Sequence, residues 1–175
     1  MLEYRIPIAQ VISGVITAGC YLAALLIINQ QRASRSRAFA LLGVTLVFAS
    51  VLVNTANGSI AGAYGRDTAV FTAGLIAVVV LAVAGVVLLA LAVAGASTSP
   101  VRGRIWVLEA IGSLLILLGV VARFAFQWIS QTYLGQADTE SVINVLTRLT
   151  VVGGLLTGAG LVLVTRAVVL AGRRW

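Results

Sequence analysis

VVVLAVAGVVLLALAVAGA fills residues 78–96 and contains no side chain able to hydrogen-bond. As a helix it would be about 28 Å long, close to the roughly 30 Å hydrocarbon core of a bilayer. A run this long and this apolar predicts a membrane-spanning helix. The whole chain agrees with it: of 175 residues, 61% are hydrophobic and only 10% charged. An ordinary soluble domain is about 25% charged, so this sequence could not cover a water-facing surface. Comparable runs on both sides predict an all-α fold, a polytopic transmembrane helical bundle forming a single domain. Its five spans cover about residues 6–29, 38–62, 69–96, 105–129 and 142–170.

The segments between spans set an orientation. QQRASRSR (30–37) carries Arg32, Arg35 and Arg37; STSPVRGR (97–104) carries Arg102 and Arg104; the tail carries Arg173 and Arg174. No acid accompanies them. The other side mixes Glu3, Arg5, Arg66, Asp67, Asp138 and Glu140. The positive-inside rule then puts the arginine-rich side in the cytoplasm, with the N-terminus outside and the C-terminus cytoplasmic, which requires an odd number of spans. Trp106 and Trp175 fall at the inner interface, and Tyr4, Tyr64, Trp128 and Tyr133 at the outer one. Amphipathic rings prefer both depths.

TAGC (17–20) fits a lipoprotein cleavage box poorly. Thr17 stands where Leu is usual, and the apolar run continues through YLAALLIIN. A retained first helix is expected. The net charge of +7 comes from twelve Arg and no Lys. Its placement in short loops points to anionic lipid heads rather than nucleic acid.

Catalytic chemistry is nearly excluded. Without His there is no His-ligated haem, HExxH zinc site or Ser–His pair. Without Lys there is no Schiff base, and one Cys gives no CxxC. Both Asp residues fall in loops. No enzyme activity, metal or cofactor is expected.

What remains is charge inside the spans. LEAIGSLLILLGVVARF (108–124) holds Glu109 and Arg123, about 21 Å apart along a helix and about 40° short of whole turns, so on one face. Arg148 and Arg166 are about five whole turns apart and share a face of the next span. A hairpin folded near Gln136 brings Glu109 level with Arg166, a candidate intramembrane charge pair. It brings Arg123 level with Arg148, a candidate anion or lipid site. The plain reading of all four is that they pin the hairpin's depth and register; the functional reading is a polar pathway or an anion site.

Two GxxxG patches, GSIAG with Gly58 and Gly62 and GLLTG with Gly154 and Gly158, are candidates for close helix packing within the chain or with another subunit. Asn54, Thr55 and Asn57 are assigned to capping and loop hydrogen bonds near a surface. The sequence thus points to a structural or accessory subunit of a larger membrane assembly, in a prokaryotic-type cell membrane. Its partners would be the lipid bilayer and other membrane subunits, or copies of itself. The alternatives are a small oligomeric transporter or channel using the charges of spans four and five, and an anionic-lipid or quinone-type binding protein.

Overall fold

A backbone inside lipid must satisfy its own N–H and C=O groups, and an apolar run does so as a helix. The chain forms five: α1 (Arg5–Asn29), α2 (Arg35–Tyr64), α3 (Ala69–Ala96), α4 (Arg102–Tyr133) and α5 (Thr139–Gly172). The computed structural model describes residues 5–31, 34–64, 69–96, 102–133 and 139–172, with side chains at 11–31, 34–57, 69–95, 103–127, 129 and 140–171. All five helices are long and apolar enough to cross a membrane. Helix α3 has the limits its hydropathy predicts, while the others run past theirs by up to a turn. Hydropathy marks what a hydrocarbon core of about 30 Å would cover, and helices this long would also reach into the headgroup layer of a bilayer about 40–45 Å thick.

Gly58 and Gly62 lie within α2 but outside the described side chains, as do Tyr64, Trp128 and Tyr133 in their helices. Tyr4, Asp138 and Trp175 lie outside the described residues.

Ser34 caps α2, its Oγ accepting from the Arg37 N–H at 3.1 Å, which satisfies one of the donors a helix start leaves over. The Arg37 guanidinium turns back to donate to the Gln31 carbonyl at 3.1 Å and to Asn29 Oδ1. One arginine thereby closes the turn between α1 and α2.

Between helices in lipid there is little hydrophobic drive, so close approach of small residues decides the pairing. In α2 and α3 a methyl on Gly43 would stand 2.8 Å from the Gly85 carbonyl oxygen, and a methyl on Gly85 would stand 2.8 Å from that of Gly43. Helices α4 and α5 repeat this reciprocity. Gly112 abuts the Gly160 backbone and Val164, and Gly119 abuts Gly153 and Thr157. Contacts of this closeness add Cα–H···O attraction to dispersion. Both pairs are antiparallel. Helix α1 runs parallel to α5 and lays Ser13 on Gly154 and Cys20 on Gly158. The second GxxxG patch therefore packs inside the chain.

Helix α5 is the hub, touching α1, α4 and, more lightly, α3 and α2. Its apolar span is 56% buried, against 22% for α1. Gly154 and Gly158 face α1, and Gly153, Thr157 and Gly160 face α4. One stripe stays open: Arg148, Val152, Leu155, Ala159, Val162 and Arg166 are exposed.

Among the described side chains the core forms two clusters. Its main cluster takes Ala24 and Ile28, Ala40 to Val47, Leu89 to Val93, Ile105 and Ile116, and Leu161 to Ala171. Most of these lie toward the arginine-rich loops, with Val47 and Ile116 near mid-span. A second, smaller cluster takes Val78, Ala82 and Val120, with Val53 and Phe124 packed against it, and Phe71, Ile143 and Leu146 are also buried.

Candidate functional site

A polar side chain in lipid is costly unless its hydrogen bonds are made, so the first question is which ones the helices absorb themselves. Thr17, Thr45, Thr55, Thr147, Thr150 and Thr157 each donate to the carbonyl four residues earlier, at 2.8–3.0 Å. Ser50 donates to the Val47 carbonyl at 2.7 Å. These hydroxyls are spent locally. Thr165 is the exception, 3% exposed with its Oγ1 unpartnered.

The polar groups that remain gather on the inward face of α4 and the part of α2 opposite it. Glu109 is 5% exposed, and its Oε1 accepts from Ser113 Oγ at 2.7 Å. Two turns further, Ile116 and Val120 are buried and apolar. Beyond them come Arg123, half-buried, and Gln127, whose Nε2 donates to Asn54 Oδ1 at 2.9 Å. That bond ties α4 to α2. Asn57, one turn on from Asn54, is buried and donates to the Phe71 carbonyl of α3 at 3.1 Å. It rests on Gly74, where a methyl would meet its carboxamide.

Asn54 and Asn57 are thus helix–helix donors and acceptors rather than caps. Helix α2 runs on for almost two turns past Asn57, so neither stands at a helix end. Their three-residue spacing puts both on one face. With the glycine at position 74, that spacing was the available signal.

The four intramembrane charges are placed as follows. The glycine register does bring Glu109 level with Arg166, but no ion pair or hydrogen bond joins them among the described residues. Glu109 is buried and Arg166 is exposed. Val164, which packs on Gly112, precedes Arg166 by about 200° of helix rotation, so the arginine leaves on the far side of α5.

Arg148 and Arg166 do share a face, and it is the open stripe of α5. Arg123 lies against the α4-facing side of α5, its Cγ 3.8 Å from where a Gly153 methyl would be, while Arg148, five residues before that glycine, is exposed on the open stripe. No hydrogen bond or ion pair to Arg123 occurs among the described residues.

Chemically, the face of α4 offers one buried carboxyl, an apolar waist, and a patch of amides beside an arginine. Beside the patch, Leu75, Ile76, Val79, Val80 and Phe124 line an open groove of about 340 Å³. Every lining residue is apolar, so the groove suits lipid chains rather than a polar solute. Among the described residues, no three His, Cys, Asp or Glu side chains converge. No family model, curated protein or solved structure matches the chain.

Proposed function

We propose that the chain is a non-catalytic integral membrane protein acting as a structural or accessory subunit of a larger membrane assembly. It would sit in a prokaryotic-type cell membrane with its N-terminus outside and its arginine-rich end in the cytoplasm. The open stripe of α5 carries this reading. The most buried helix of the bundle is packed by α1, α4 and the α2–α3 pair, yet keeps one side uncovered from Arg148 to Arg166. Ala159 leaves a shallow place at its middle, and neither terminal guanidinium meets an acid among the described residues. A partner helix with acidic residues near both ends complements such a face.

Native mass spectrometry after gentle extraction from the source membrane tests it. Co-purification with different polypeptides at fixed stoichiometry is expected. A lone chain or a homo-oligomer overturns the subunit reading.

A small oligomeric transporter or channel is the second reading, favoured by one observation: Glu109 and Arg123 lie on the same face of α4, one on each side of the waist at Ile116 and Val120. On that reading Glu109→Gln abolishes flux in proteoliposomes while leaving membrane insertion intact.

A further inference from the structure

We infer that Arg123, Gln127 and Asn54 form a binding site for a phosphate group, in the half of the bundle away from the arginine-rich loops. Arg123 lies about 6 Å inside the end of its apolar span, which closes at Gln127. A guanidinium at that depth needs an anion, water or a route to the surface. Its stem is laid along α5 at Gly153, where the absent side chain leaves room. Arg148 and Arg166, by contrast, are exposed on the open stripe.

Among the described residues no acid answers Arg123. Glu109 is about 21 Å back along α4, and Glu140 is exposed at the start of α5. The described parts of α2 and α3 hold no carboxylate at all. Gln127 shares the arginine's face one turn on and fixes Asn54 by taking its carboxamide oxygen, which leaves the Asn54 Nδ2 as a further donor. A guanidinium fork with amide donors matches the paired oxygens of phosphate. The phosphate could be free or the headgroup of a phospholipid. This inference is independent of the subunit reading, because it is measured on the isolated chain.

The full chain in nanodiscs of neutral phosphatidylcholine is titrated with inorganic phosphate, following its thermal unfolding midpoint by tryptophan fluorescence. A second series replaces phosphate with a rising fraction of phosphatidic acid. A saturable rise in the midpoint is expected in one series. The first series responding identifies free phosphate, and the second alone identifies a headgroup. The rise is expected to vanish in Arg123→Gln and to persist in Arg104→Gln, an exposed arginine at the other end.

Asn54→Leu should raise the half-saturating concentration about tenfold, as loss of one hydrogen bond to a charged group does. Absence of a saturable rise in both series, or a rise that Arg123→Gln keeps, overturns the site. If Arg123→Gln does not fold, Arg123→Lys decides. It keeps the charge without the fork, so a response about tenfold weaker supports the site and an unchanged one overturns it.

Discussion

Gly112 and Gly160 meet backbone to backbone. A methyl on the first would stand 2.8 Å from the carbonyl oxygen of the second, and one on the second 2.5 Å from that of the first. No side chain can be added to either without moving α4 from α5. Gly160→Val should cost about 1–3 kcal/mol, the usual range for overpacking. Gly14→Ala, where nothing lies within 4 Å, should stay within about 0.5 kcal/mol of the parent. Denaturant titration in mixed micelles, read by circular dichroism, compares the two. Equal effects would contradict the packing described.

Helix α1 depends on a different pair of glycines. Gly154→Val drives a side chain into Ser13 and should lift α1 from α5, uncovering the Cys20 thiol that rests on Gly158. The rate of labelling Cys20 with a membrane-permeant maleimide is expected to rise several-fold. An unchanged rate would mean that α1 is held elsewhere.

The bond from Gln127 to Asn54 joins α4 to α2. Interhelical hydrogen bonds in membrane proteins are worth about 0.5–2 kcal/mol in double-mutant cycles. The cycle Asn54→Leu with Gln127→Leu should show coupling in that range. Full additivity would remove the bond from the account of how the pairs are held together.

Glu109 and Arg166 share a level without sharing a face. Their cycle, Glu109→Gln with Arg166→Gln, should therefore be additive within about 0.5 kcal/mol. A coupling above about 1 kcal/mol would show that the two pair within the bundle.

Helix number and type were legible in the sequence because lipid imposes them: an apolar run near the bilayer thickness has few alternatives. Periodicity along one helix was equally readable, and Arg148 and Arg166 share a face as their spacing requires. How a helix is rotated against its neighbour was not legible from charge. Opposite charges at matching depth suggested that Glu109 and Arg166 meet. The rotation is set instead by bare backbone at Gly112, Gly119, Gly153 and Gly160, and it turns Arg166 outward. Asn57 was misplaced for a related reason. Its nearness to the outer end of span two suggested capping and loop hydrogen bonds, whereas α2 continues and spends that asparagine on the Phe71 carbonyl.

The docking of α1 on α5 has a consequence for biogenesis. Ser13 and Gly154 are separated by most of the chain, so at about 5–20 residues per second the ribosome delivers the second element roughly ten seconds or more after the first. During that interval α1 must stand in the membrane without its partner. It is equipped to wait, since the Thr17 hydroxyl is already satisfied by the Ser13 carbonyl of its own helix. Helix α5 thus recruits an α1 made well before it, and ribosomes stalled before α5 would leave α1 loosely held beside a finished α2–α3 pair.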